Sequence, residues 1–346
     1  MLIIQIKRKM MTAHHALLPY RRMDRALGCF YGFIAGGALQ LPIGPQISPL
    51  PGHGLECSLI GRPNDDGMML LQLARVLILN ADYKSDDACR AYSAVVQIGA
   101  YKMDGAVLST KNWEEESGTA PTLFSGLLRS IPLGIWGAQR PMEAVADAAR
   151  QDAMLTHPHP LYADASAVLA VSIAGAVSHM GTIDELYNRI LDWGSANNIN
   201  HDLMFCLGKA TCVRPDSSGK SWQDHLFNVM HNAFWHLLQL GYPAFNDSFS
   251  CALMETASLF GTTHKNFSAQ SAICGALLGA LHGARSMPRL WLESIVDYIP
   301  LQDHKDAYGT LMSWPVSLRK LAYELLAQSQ ALGDKNKSQY RVRCFL

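Results

Sequence analysis

Two adjacent acids, Asp65 and Asp66, stand in the segment Asn64-Asp65-Asp66-Gly67, just before the apolar run at residues 70–78. Neighbouring carboxylates repel each other, and a divalent cation bound between them relieves that repulsion through hard oxygen ligands. The same residue types also suit a helix N-terminus, where first-turn N–H groups and the helix dipole favour Asn and Asp as caps. The motif alone leaves both readings open. A second group of titratable residues lies in Thr156-His157-Pro158-His159-Pro160, with Asp164 close behind and Glu56 in an earlier Gly/Pro-rich stretch. The two histidines read either as ligand contacts or as loop-packing side chains, since imidazole serves both purposes.

These residues sit between long runs of helical periodicity. Apolar positions recur at three and four residues over 25–38, with Asp24 as a candidate cap, and again over 68–80, 86–101, 122–136, 141–154, 162–180, 183–193, 221–239, 249–260, 268–284 and 316–332. Strand-like alternation is absent. Residues 165–176 and 272–280 carry small or apolar side chains on most faces, a composition that suits the centre of a helical bundle. The pattern predicts an all-α chain forming a single compact orthogonal helical domain. Its limits are 23–333, with an N-terminal extension at 1–22 and a C-terminal tail at 334–346. Gly/Pro-rich loops at 42–63, 109–121, 156–160, 243–248 and 261–266 are where functional groups on a rigid helical scaffold are expected.

Bulk properties narrow the function. The chain has 346 residues, with 29 basic and 29 acidic side chains, so it carries no electrostatic footprint for nucleic acid. No signal-peptide core follows the basic N-terminus, and no uninterrupted apolar run reaches the roughly 18 residues of a membrane span. The expected location is cytoplasmic, without a membrane partner. Eight cysteines are scattered with no Cys-x-x-Cys pair, a spacing that points to neither a zinc site nor a disulfide framework.

Five landmarks then fall in one order. Residues 25–38 contain Gly28-Cys29-Phe30-Tyr31-Gly32-Phe33-Ile34-Ala35-Gly36-Gly37; Asn64-Asp65-Asp66 follows; next come Ser125-Gly126-Leu127-Leu128-Arg129-Ser130 and Thr156-His157-Pro158-His159-Pro160; the last is Ala272-Ile273-Cys274-Gly275-Ala276-Leu277-Leu278-Gly279-Ala280. Together they resemble the ADP-ribosylglycohydrolase family, including the dinitrogenase-reductase-activating glycohydrolases, over residues 24–295. The third is similar to a shortened form of that family's Asn-Gly loop and Met-Arg helix, and the fourth to its Thr-His-x-x-Pro stretch.

The resemblance implies cleavage of the bond between C1″ of ADP-ribose and an acceptor, often arginine, with a pair of magnesium or manganese ions. Thr-Asp-Asp at the second landmark and Asp-x-Asp-Thr before the closing helix would hold them. Here Asp65 and Asp66 remain, with Asn64 in place of Thr. The second cluster aligns with Asn266-Phe267-Ser268-Ala269, or with Thr262-Thr263-His264-Lys265 if an insertion follows, and neither supplies a carboxylate. Gly36-Gly37 replaces the family's Gly-Asp, and Pro42-Ile43-Gly44 stands where Pro-Val-Glu often follows.

The expected site therefore has Asp65 and Asp66 as metal ligands, and as the catalytic pair if the chain is active, with Ser268 a weak further ligand. Asn64, Ser125, Gly126, His157, His159 and His264 are the expected ligand-binding residues. One Mg²⁺ or Mn²⁺ ion is expected, or none in a pseudoenzyme. The implied function is binding of ADP-ribose, an ADP-ribosylated protein or an ADP-ribosyltransferase, with hydrolase activity lost or much reduced. The alternative is an active ADP-ribosyl-arginine type of hydrolase with an altered metal site. A purely structural use of the fold, as in family members recruited as crystallins, is the third reading.

Overall fold

The computed structural model describes residues 2–39, 65–97, 124–179, 181–219, 221–240, 249–261, 268–296 and 317–330. Among them are thirteen α-helices and no strand, as the periodicity predicts. In chain order these are α1 (Leu2–Ala38), α2 (Asp65–Asn80), α3 (Ser85–Gln97), α4 (Ser125–Trp136), α5 (Met142–Met154), α6 (Pro160–Ser178) and α7 (Ile183–Ala196). They continue as α8 (His201–Lys209), α9 (Trp222–Gln239), α10 (Phe249–Gly261), α11 (Ser268–His282), α12 (Arg289–Val296) and α13 (Leu318–Gln330).

The seam between α1 and α11 is backbone against backbone. A Cβ placed on Gly32 would stand 2.0 Å from the carbonyl oxygen of Gly275, and one on Gly36 would stand 2.1 Å from that of Ser271. At the other end of the seam, a Cβ on Gly28 would stand 2.3 Å from the carbonyl oxygen of Gly279. Pairing of 28 with 279, 32 with 275 and 36 with 271 makes the two helices antiparallel. Glycine at every fourth position lines one ridge of α1, which is what allows so close an approach.

α6 lies at the centre, packed against α4, α5, α11, α1 and α7. It is the one described helix long and apolar enough to cross a membrane, and Val168, Leu169, Val171 and Ile173 on it are fully buried within the bundle. Gly126 meets Tyr162, and Gly134 meets Ile173 and the carbonyl of Ala170, so α4 and α6 run parallel. At the far end of α4, the Arg140 guanidinium lies 3.7 Å from the Trp136 ring. It donates to the Ala81 and Gln328 carbonyls and so joins α2 and α13 to that end.

Several expectations change. α1 runs unbroken from Leu2, with Pro19 inside it, so Asp24 is not a cap and the helix does not begin at 25. The Asp24 carboxylate instead takes the backbone N–H of Arg285, a tertiary partner that local sequence does not reveal. α8 and α12 had no counterpart in the periodicity, because nine and eight residues are too few to show it. α4 begins at Ser125 rather than 122, and a 3₁₀ turn at Ala284–Ser286 follows α11 after Gly283, whose φ is 85°. The loops at 42–63, 109–121, 243–248 and 262–266, and the tail at 334–346, lie outside the described residues.

Candidate functional site

The site is anchored by a charge pair in the apolar interior. Arg129 on α4 and Asp152 on α5 are each 1% exposed. Arg129 Nε donates to Asp152 Oδ2 at 2.7 Å, and Arg129 Nη2 donates to the Asp152 backbone carbonyl at 3.2 Å. The other carboxylate oxygen, Oδ1, accepts from the hydroxyls of Tyr92 at 2.7 Å and Tyr83 at 3.3 Å. A buried ion pair offsets its desolvation only when its remaining hydrogen-bonding capacity is filled, and here Tyr92 on α3, Tyr83 in the turn before it and Thr156 after α5 contribute to filling it. Burial alone would lower the Arg129 pKa, but the adjacent Asp152 charge outweighs it and keeps the guanidinium protonated. Burial, and then the same carboxylate, push the Tyr92 and Tyr83 phenols far up, so both remain donors.

From this anchor the network reaches the turn between α5 and α6. Arg129 Nη2 also donates to Thr156 Oγ1 at 2.6 Å, and Thr156 Oγ1 lies 2.8 Å from His157 Nδ1. The turn itself is tight: the N–H groups of Thr156 and His157 both donate to the Ala153 carbonyl. The His157 ring stacks on Tyr162 with centroids 4.2 Å apart. Tyr162 OH in turn accepts from the Leu127 N–H in the first turn of α4. A Cβ on Gly126 would stand 2.7 Å from Tyr162 Cε1 and 3.0 Å from His157 Nδ1, so no larger residue fits there. Gly126, His157 and Tyr162 thus form one wall at the N-terminus of α4, where backbone N–H groups favour anions.

The structure separates the two histidines. His157 is buried in that wall, whereas His159 Nδ1 accepts from the Leu161 N–H and caps α6, its ring edge-on to Trp222 of α9. Asp164 is held by Arg150 Nε at 3.1 Å and by the Asn200 N–H at 3.0 Å, so it ties α5 and the turn before α8 to α6. Tyr162, Thr156, Arg129 and Asp152 were not anticipated as site residues. One signal was present in the sequence: an arginine amid Leu127, Leu128 and Ile131 is out of place in an apolar helix unless paired.

The other half of the expected site lies at two helix starts. Asp65 and Asp66 are the first residues of α2, and Ser268, half-buried, is the first of α11. Ser125 opens α4. The side chains of Asp65, Asp66 and Ser125, and all of Asn64, Glu56 and His264, lie outside the described residues. Between Glu255 and Glu293 the chain has no acidic residue, and Glu255 itself is paired with Arg214 on the exposed side of α10. Hard divalent cations take six or more oxygen ligands, and a pair of them needs several carboxylates. Two aspartates and a serine hydroxyl supply too few carboxylates to fit a two-cation centre. Glycine at position 37, where the resemblance places an acid, is not required by packing: a Cβ there would meet only Ala272 Cβ, at 3.8 Å.

The described residues thus form an all-α bundle, with a buried polar cluster at the N-terminus of α4 and an acid pair in the sequence that opens α2. A sequence profile of the ADP-ribosylglycohydrolase family matches residues 18–329, and the chain belongs to that family. A solved structure described as an ADP-ribosylglycohydrolase-related protein complex superposes with a TM-score of 0.61 at 20% identity, covering 90% of this chain and 99% of that one. At that identity the likeness speaks for the fold. Compared with curated proteins by sequence, the chain matches none. The family is generally metal-dependent and acts on ADP-ribosylated substrates.

Proposed function

We propose that this chain binds ADP-ribose, free or attached to a protein, with hydrolase activity lost or much reduced. The observation that carries this reading is the acid-free stretch from Thr256 to Leu292, so that α11 opens on Ser268 without the carboxylates that the resemblance sets before it. Electrostatic stabilisation by the metal pair is the dominant contribution in chemistry of this kind, and half of its ligands are gone. The binding wall is a separate matter. Gly126, His157 and Tyr162 are supported by a buried network of protein hydrogen bonds and ring stacking.

Retention of Asp65-Asp66 favours one second reading: a hydrolase working with a single Mg²⁺ or Mn²⁺ held by those acids, Ser268 and water. Calorimetry with ADP-ribose, run beside incubation with ADP-ribosyl-arginine and either metal, separates the two. Saturable binding without release is the expected result. Metal-dependent release that disappears in Asp65→Ala would establish the second reading instead, and absence of any binding would leave a protein-partner or structural role. An ADP-ribosylated protein or an ADP-ribosyltransferase is the partner class this reading implies, in the cytoplasm.

A further inference from the structure

We propose that the first part of α1, up to Arg22, is a docking arm for a short acidic segment of a partner protein. The charge of the chain is unevenly laid out. Residues 1–23 contain Lys7, Arg8, Lys9, Arg21 and Arg22 and no acid, a net charge of +5, so the remaining residues carry −5. α1 is helical from Leu2, which sets these five cations along one continuous element. The family profile begins at residue 18, so Lys7, Arg8 and Lys9 stand outside it, and the wall formed by Gly126, His157 and Tyr162 makes no use of them. Like charges gathered on one helix repel each other, and opposite charge brought from outside relieves that repulsion.

Where α1 joins the bundle, its cations are not matched by acids. Arg22, half-buried, donates Nη1 to Gln139 Oε1 at 2.7 Å, and no described carboxylate pairs with it. Burial lowers its pKa, and a guanidinium partly stripped of water gains more from a carboxylate than one in full solvent. Arg21 is exposed. Asp24, the first acid of the chain, takes the Arg285 backbone N–H, while Arg25 is committed to the Ala176 and His179 carbonyls. Tyr20 is 48% exposed, with the Arg285 guanidinium 4.5 Å from its ring, and Tyr with Arg is the composition of protein interfaces. A nucleic acid or an anionic bilayer fits less well than a short segment. Either would extend past the arm over a body of net charge −5 and be repelled, whereas a few Asp or Glu residues meet the arm alone. The arm is also remote from the wall. Arg22 and Arg25 lie at the C-terminal ends of α4 and α6, Gly126 and Tyr162 at their N-terminal ends, and the 19 residues of α6 span about 28 Å.

Fluorescence anisotropy of a labelled deca-glutamate peptide, titrated with the full chain at low salt, tests the arm. Saturable binding is expected, and it should weaken as salt rises because exposed charges are screened. The combined change Lys7→Gln, Arg8→Gln and Lys9→Gln, and separately Arg21→Gln with Arg22→Gln, should each lower the affinity about tenfold. The first of these leaves the Gly28–Gly36 seam untouched, so it reads charge and not folding. Arg90→Gln with Arg289→Gln removes two exposed arginines elsewhere, changes the net charge as much as the second variant does, and should leave the affinity as it was. Absence of saturable binding, or an equal loss in the Arg90 and Arg289 control, would overturn the arm. Tighter binding of an oligodeoxythymidylate of the same length, or of phosphatidylglycerol vesicles, than of the peptide would overturn the partner class.

Discussion

The bundle holds its site from two sides by opposite means. Along α1 and α11 the backbones touch through glycines, with no side chain between them at Gly28, Gly32 and Gly36. At the junction of α4, α5 and α6 the helices are joined by a buried guanidinium, a carboxylate and two phenols. The first kind of contact is specified by absence and survives any change in the loops it carries. The second is specified by pairing and fails if one member goes. This difference bears on function: the glycine seam still delivers α11 to its place although the acids expected before it are missing, and the polar junction still delivers His157 because every partner is present.

Removing one member of the pair should have the largest effect. Asp152→Ala leaves the Arg129 guanidinium buried without a counter-charge and two phenols without an acceptor, and is expected to cost about 3–5 kcal/mol in urea unfolding. Replacing both partners, Arg129→Met with Asp152→Leu, should cost less than Asp152→Ala alone, since no uncompensated charge remains. Equal or greater loss in the double variant would show that the junction is held by something other than this pairing.

The glycine seam should break nearly as badly under a single methyl group. Gly32→Ala puts a Cβ 2.0 Å from one atom of the Gly275 peptide and 2.6 Å from another, both backbone and unable to rotate away. Overpacking of this kind is expected at the upper end of its usual range, about 3 kcal/mol. A near-neutral melting temperature would mean that α1 and α11 can part without cost, and that the seam does not hold the bundle.

How much of this was legible in the sequence follows the same division. Gly28, Gly32 and Gly36 recur every four residues inside an apolar helix, and the small-residue runs of α6 and α11 announce a crowded interior, so the seam and the core could be read from spacing. Arg129 could be seen as an anomaly, but its partner Asp152 is on another helix and nothing local connects them. Asp24 was misread as a cap for the same reason, because its partner is a backbone N–H near residue 285. The two histidines of one short turn have different surroundings that depend on α4 and α9, which no pattern in the turn encodes. Periodicity reports what a helix buries; it is silent about which polar groups meet.

Acid should act on the seam through a buried histidine. α11 ends at His282, whose Nε2 is buried without a partner. Burial, then the nearby Arg25, lower its pKa from the ordinary 6.5 to about 4. The unfolded chain therefore binds the proton first, so this contribution to stability is full above pH 6.5 and is lost as pH falls towards 4. Between pH 6.5 and 5 the loss is roughly 1.5 kcal/mol. His236 on α9, also lowered to about 4 by burial and by Arg214, adds to the same slope. Urea unfolding at both pH values should show a smaller decrease in His282→Gln than in the unaltered protein, and an identical decrease would remove His282 from the account.

The smallest effect tests whether the glycines of α1 are there for contact or by composition. Gly37 follows Gly36 directly, yet a Cβ on it would meet only Ala272 Cβ at an ordinary 3.8 Å, and the residue is half-buried within the helix. Alanine fits there, and glycine inside a helix costs about 0.5–1 kcal/mol relative to alanine because the unfolded chain loses more freedom on folding. Gly37→Ala should therefore stabilise the protein by about that amount, while Gly36→Ala, one residue earlier and 2.1 Å from the Ser271 carbonyl, destabilises it. Opposite signs at neighbouring positions follow only if the backbone register of α1 on α11 is as described. Since Gly37 is also the place where the family resemblance sets an acid, a stabilising substitution there would mean that the carboxylate was not excluded by the packing of the bundle, and that its loss belongs to the site's chemistry.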